Sequence, residues 1–149
     1  MTYIIYHNPK CSKCRVTLEI LNSKGVEPKI IDYLKNPPTK DELKEIINKL
    51  EIRPSELVRF KEGKAIELGI SAEDNLTHDQ WLNIMTENPV LIERPIVISE
   101  KGAVIGRPPE NVLALFEINA EPLVLRIRIE KAPLESVSLL HFTLNDNFL

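Results

Sequence analysis

The chain predicts an α/β fold built on a small mixed sheet, and three observations carry that reading. The apolar run Tyr3-Ile4-Ile5-Tyr6 leads into a helical pattern and then into a second apolar pair, Ile30-Ile31, which is the strand, helix, strand order of a parallel pair. Pro95-Ile96-Val97-Ile98-Ser99, the turn Glu100-Lys101-Gly102 and Ala103-Val104-Ile105 read as an antiparallel hairpin. Between these two strand pairs the apolar spacing is helical. The expected order is βαβ, an inserted helical region, then ββα.

The first helix is expected from about Ser12 to Lys24, because Cys14, Leu18 and Leu21 recur at i, i+4 and i+7 and Gly25 stands where a C-terminal cap belongs. Thr39-Lys40-Asp41-Glu42 has capping-box spacing, in which a hydroxyl and a carboxylate satisfy the free N–H groups of a helix start. Leu43, Ile46, Ile47 and Leu50 continue it as an apolar stripe. Pro54 opens a short helical segment reaching Val58. Thr77-His78-Asp79-Gln80 is a second capping box, followed by an apolar face of Trp81, Ile84 and Met85 that ends before Pro89. After the hairpin, Pro108-Pro109 opens a last helix through Phe116. This order, with a cysteine motif directly after the first strand, is that of a thioredoxin-like fold with a mixed four-stranded sheet.

A chain of 149 residues can bury about two-thirds of its surface, so its stability does not call for disulfide staples. The net charge of −3, with signs interspersed, offers no extended basic face, and no nucleic-acid partner is expected. No apolar run approaches the roughly 18 residues that span a bilayer, and the N-terminus lacks a signal-peptide pattern. No membrane association and a cytoplasmic location are expected. In a reducing compartment, two cysteines in a C-x-x-C spacing point to redox or nucleophilic chemistry rather than to a permanent bridge.

Both cysteines lie in His7-Asn8-Pro9-Lys10-Cys11-Ser12-Lys13-Cys14-Arg15. A strand running into a helix-opening turn leaves backbone N–H groups unpaired, a place that stabilises anions. Cys11, at that turn and beside Lys10 and Lys13, is the expected nucleophile, its thiolate favoured by the helix dipole and the nearby cations. Cys14 has two readings. It either packs into the core beside Leu18 and Leu21, or it attacks a Cys11 adduct and leaves an internal disulfide. His7 either tunes the Cys11 thiol as a nearby cation or hydrogen-bond donor, or is structural. His78 and His141 read as surface or packing residues, and no second ligand pair has zinc-finger spacing, so no metal is expected.

Arg59, Arg94 and Arg107 each stand outside the regular helices, beside a turn or strand end. A guanidinium offers a planar fork of donors suited to tetrahedral oxyanions. Arg94 and Arg107 bracket the hairpin, so that the ends carrying them can lie close together. Arg94 also precedes Pro95, the kind of bond that populates cis. Together they suggest an anion cradle.

These motifs resemble those of the glutaredoxin-coupled arsenate reductase (ArsC) family. The resemblance rests on His7-Asn8-Pro9-Lys10-Cys11, Glu93-Arg94-Pro95-Ile96-Val97 and Gly106-Arg107-Pro108-Pro109-Glu110, with support from Asp32-Tyr33-Leu34, Asn36-Pro37-Pro38-Thr39, Glu67-Leu68-Gly69 and Asn88-Pro89. It implies a thioredoxin-like domain over residues 1–116 in which Cys11 attacks arsenate, Arg94 and Arg107 hold the oxyanion, and Arg59 contacts the bound arsenic later. It further implies glutathione as co-substrate, glutaredoxin as the reducing partner, and no bound cofactor. The departure is Cys14, where serine is more common in that family. A C-x-x-C here is typical of the related Spx regulators, which bind RNA polymerase and use the pair as a redox switch. A thiol-switch regulator is therefore the alternative to the reductase. Residues 117–149 have no recognised counterpart. The run Leu123–Ile129 alternates partly like a strand and Ser138–Phe142 is apolar, so this C-terminal extension reads as an extra hairpin or loosely held tail, or else as a partner-binding element.

Overall fold

The structure is a computed structural model that describes residues 2–116; the expectations for residues 117–149 lie outside the described residues. Four strands, β1 (Ile4–His7), β2 (Lys29–Asp32), β3 (Ile96–Ser99) and β4 (Gly102–Ile105), pair in the order β2-β1-β3-β4. β2 is parallel to β1, whereas β3 is antiparallel to both β1 and β4. The helices are α1 (Ser12–Ser23), α2 (Lys40–Leu50), α3 (Gly63–Leu68) and α4 (His78–Glu87), with 3₁₀ segments at Pro54–Leu57, Pro89–Leu91 and Pro109–Phe116. This is the expected α/β sheet with its helical insertion. No helix among the described residues is long and apolar enough to cross a membrane.

Side chains alternate across the strands, so each face of the sheet has its own core. On one face Tyr6, Ile96 and Ala103 join Leu43, Ile46, Ile47 and Leu50 of α2, and Trp81, Leu82 and Met85 of α4. On the other, Ile5, Val97 and Val104 form a fully buried row across three strands. α1 and the C-terminal 3₁₀ segment pack together there, with Cys14, Leu21, Val112 and Leu115 all buried. Both capping boxes form. Thr39 Oγ1 accepts from the Glu42 N–H at 3.2 Å, and Thr77 Oγ1 from the Gln80 N–H at 3.1 Å.

Four details depart from the sequence expectation. The buried stripe of α1 runs through Thr17 rather than Leu18, because Thr17 donates its hydroxyl to the Lys13 carbonyl at 2.7 Å and so enters the core satisfied. In α4 it is Leu82, more than Ile84, that is buried. Gly102 pairs with Ser99 as the first residue of β4, which shortens the hairpin turn to Glu100-Lys101. Helix α3 is additional. It has only six residues, and Ile66 and Leu68 on it are exposed, so it carries little apolar periodicity.

The register decides where the loops go. Tyr6 faces Ile96, Ile96 faces Ile105, and His7 pairs with Asp32. The segments that follow β1, β2 and β4 and the one that precedes β3 therefore meet along one edge of the sheet. Asn8 to Cys11, Tyr33, Arg94-Pro95 and Gly106-Arg107 all belong to these segments. Gly106 is held between elements: a Cβ there would stand 2.7 Å from Thr17 Oγ1 and 2.8 Å from Pro95 Cγ. Gly106→Ala is expected to destabilise the protein by about 1–3 kcal/mol through overpacking, read as a lower midpoint in urea unfolding; an unchanged midpoint would show that the α1 contact relaxes freely.

Candidate active site

The loop between β1 and α1 is a tight turn built by its own sequence. The Cys11 N–H donates to the Asn8 carbonyl at 2.9 Å, with Pro9 at the corner, and the Asn8 Oδ1 accepts from the Lys10 N–H at 3.0 Å. Cys11 emerges from this turn at the N-cap of α1, in extended backbone with φ −92° and ψ 121°. Its sulfur thereby faces the free N–H groups of the first helical turn. Burial raises the Cys11 thiol's pKa, but the Cys14 N–H, the Cys14 thiol, the Arg94 guanidinium and the Lys13 N–H together bring it below its ordinary value.

Cys14, one turn into the helix, behaves oppositely. It is fully buried, and desolvation, together with its hydrogen bond to Cys11 and the charge there, pushes its pKa up to about 12 despite the Asn8 N–H. Both cysteines are free. Of the two thiols, Cys11 is therefore the one that ionises more readily.

Of the three arginines named from the sequence, Arg94 and Arg107 lie beside this thiol, and Arg59 is linked to Arg107 through Glu93. Arg107 Nη2 lies 3.7 Å from Cys11 Sγ, and Arg107 Nε donates to the Arg94 carbonyl at 2.6 Å. Arg94 Nη1 reaches Tyr33 Oη at 3.5 Å, while its Nε is buried without a hydrogen-bond partner. The bonds Arg94-Pro95 and Arg107-Pro108 are both cis. Arg59 arrives from the helical insertion, through a bridge between Val58 and Ile92 in which the Arg59 N–H donates to the Leu91 carbonyl at 2.7 Å.

Two acidic groups to which the sequence reading gave no role complete the cluster. Glu93 Oε1 lies 2.9 Å from Arg107 Nε and 3.6 Å from Arg59 Nε, and Glu62 Oε2 is 2.8 Å from Arg59 Nη1. Tyr33, 1 % exposed, is a third omission. Its position directly after β2, and that of Glu93 directly before Arg94, were the available signals. Burial lowers the His7 pKa against the pull of Asp32, which favours the neutral imidazole over the cation. Its Nδ1 is buried and unpaired. Among the described residues no group of three or more His, Cys, Asp or Glu side chains is placed to hold a metal ion.

A thiol whose pKa is lowered, with two guanidiniums beside it, is equipped to attack a tetrahedral oxyanion. The model of the ArsC family matches residues 6–115. The chain belongs to the ArsC family. This member is 43% identical over 113 residues to an arsenate reductase of Escherichia coli, covering 76% of this chain and 79% of that protein. It is 40% identical over 113 residues to an arsenate reductase of Neisseria meningitidis serogroup A, covering 75% and 96%. Among solved structures it is similar to the arsenate reductase from Vibrio cholerae, with a TM-score of 0.69 at 44% identity over 76% of this chain and 96% of that one. These names favour the reductase branch over the Spx-like switch.

The asymmetry of the two ArsC-family thiols makes a measurable difference. Iodoacetamide is expected to modify Cys11 alone in the folded protein, at a rate that rises with pH as the thiolate forms and levels off above a midpoint below the ordinary thiol value. Arg94→Ala should move that midpoint up, because one of the groups holding it down is gone. Equal modification of Cys11 and Cys14, read by peptide mass mapping, contradicts this.

Proposed function

We propose that this chain reduces arsenate to arsenite through a thiolate adduct on Cys11. The observation that carries the reading is the Arg107 Nη2 to Cys11 Sγ contact of 3.7 Å, which sets a cationic fork beside the sulfur that attacks. Cys11 Sγ forms a bond to arsenic, and one arsenate oxygen leaves as water after taking up protons. Arg94 and Arg107 hold the remaining oxygens. The buried, unpaired Arg94 Nε is a donor that such an oxygen would satisfy, and satisfying it removes the penalty of an orphaned buried group. Arg59 contacts the arsenic species in the later steps.

Arsenic must then gain an electron pair, and thiols supply it. In the first reading, glutathione attacks the adduct, glutaredoxin reduces the mixed species, and arsenite departs. Electrons delivered this way require no resident metal or organic cofactor, and consumption of reduced thiols fits a cytoplasmic setting. The second reading is favoured by the hydrogen bond between the two thiols. Cys14 attacks Cys11 Sγ, the S–As bond breaks with its electron pair passing to arsenic, and a Cys11–Cys14 disulfide remains for a dithiol to reduce.

Arsenate-dependent NADPH oxidation, coupled through glutathione reductase, glutathione and glutaredoxin, tests the activity. Cys11→Ser should abolish it, and Arg94→Ala and Arg107→Ala should each raise KM or lower kcat by about tenfold or more without unfolding the protein. Well-folded protein without turnover, or activity surviving Cys11→Ser, excludes the proposal. For the second reading, one turnover without glutathione should leave a protein lighter by the mass of two hydrogens, and Cys14→Ser should prevent that loss. A dithiol that persists after turnover assigns resolution to glutathione.

A further inference from the structure

Glu93 is an acidic residue in a site that must bind an anion, and its contacts say why it is there. Its carboxylate atom Oε1 accepts from the Arg94 backbone N–H at 3.2 Å and lies 2.9 Å from Arg107 Nε and 3.6 Å from Arg59 Nε. Both guanidiniums thus form ion pairs with Glu93 on the Nε side, the inner side of the fork, where the one Arg107 Nε–H is donated to the Arg94 carbonyl and the Glu93 carboxylate lies alongside. Arg107 keeps Nη2 directed at Cys11 Sγ. Glu93 is itself fixed from the backbone, its N–H donating to the Leu57 carbonyl at 2.8 Å on the strand-like bridge that carries Arg59. Without that carboxylate, Arg59 and Arg107 are two like charges on separate segments, and among the described residues no other ion pair joins their side chains.

We infer that Glu93 is the positioning residue of the oxyanion cradle: it ties Arg59 and Arg107 to one carboxylate oxygen by their Nε atoms and so aims the Arg107 fork at Cys11. The inference rests on the arsenate reading above. It differs from the other role an acid can play here, that of a stand-in occupying the substrate's place until an oxyanion displaces it. Engagement at Nε and anchoring to Leu57 favour the positioning role, because a stand-in would occupy the outer Nη atoms that the substrate takes.

The two roles predict opposite signs. As a positioning residue, Glu93→Ala should raise the arsenate KM by about tenfold or more with a smaller change in kcat, and Glu93→Gln, which keeps an acceptor but loses the charge, should fall between wild type and alanine. As a stand-in, both variants would lower KM. A second readout needs no turnover: arsenate should protect Cys11 from iodoacetamide, and the concentration giving half-protection should rise in the variants in step with KM. Circular dichroism and a thermal melt establish that each variant is folded, and where alanine fails to fold, Glu93→Gln carries the comparison. Unchanged or lower KM and half-protection concentration in a folded variant overturn the inference. If wild type is protected by arsenate but does not turn it over, the reductase reading fails while the half-protection shift still decides Glu93. If wild type is not even protected, both fall.

Discussion

The pairing of Tyr6 with Ile96 and of Ile96 with Ile105 decides where every charged group of the site stands. A slip of one residue would turn the Ile5, Val97 and Val104 row from one core to the other, so burial on both faces locks the register. With the register locked, Arg94 and Arg107 cannot be elsewhere than at the edge where α1 begins. The prolines after them mark where the ladder stops, since Pro95 and Pro108 have no N–H to offer a neighbouring strand. Gly106 then lets α1 approach the hairpin, with Thr17 and Pro95 filling the space a side chain would need.

Gathering guanidiniums in this way is unfavourable in itself. Two unit charges about 7 Å apart repel by roughly 2 kcal/mol at an effective dielectric of about 20, the value suited to a half-buried setting. Glu62 and Glu93 offset part of this through Arg59 and Arg107, and the thiolate of Cys11 takes a further share through Arg107 and Arg94. The carboxylates thus offset part of the positive charge before any ligand arrives. An incoming oxyanion then has to add interactions that the carboxylates leave open, and these are the outer guanidinium atoms and the orphaned Arg94 Nε.

Much of this was legible from the chain because local chemistry and tertiary structure agree. Thr39 and Thr77 cap their helices by short-range bonds that any folded context would preserve. Arg94 and Arg107 were identifiable because they flank a hairpin, whose two ends lie side by side. What escaped was governed by contacts between distant segments. A helical period allows either i+3 or i+4, and Thr17 takes the buried face of α1 with its hydroxyl bonded to the Lys13 carbonyl and Gly106 packed against it. Glu93 shows no pattern of its own, and its meaning depends on a bridge between Val58 and Ile92 that brings Arg59 across more than thirty positions of sequence. The direction of the His7 shift was hidden for a related reason. Its charge depends on burial at a strand end, which residue type alone does not reveal.

The two cysteines show how far a single helical turn can separate two identical groups. Cys11 stands at the N-cap, where the sulfur meets backbone N–H groups and Arg94, and Cys14 is buried with no exposure at all. The difference is self-reinforcing, because the charge and hydrogen bond of Cys11 are among the causes that raise Cys14. In the proposed reaction this imposes an order. Cys11 attacks first, since its thiol is the more readily ionised of the two. Once its sulfur is bonded to arsenic that negative charge is consumed, and one of the influences holding the Cys14 proton in place disappears with it. Burial of Cys14 remains, so its ionisation still lags that of a solvent-exposed thiol such as glutathione, and the competition between the two routes turns on proximity against desolvation. A thiol already in hydrogen-bonding contact has the advantage of effective concentration, and a free thiol has that of acidity.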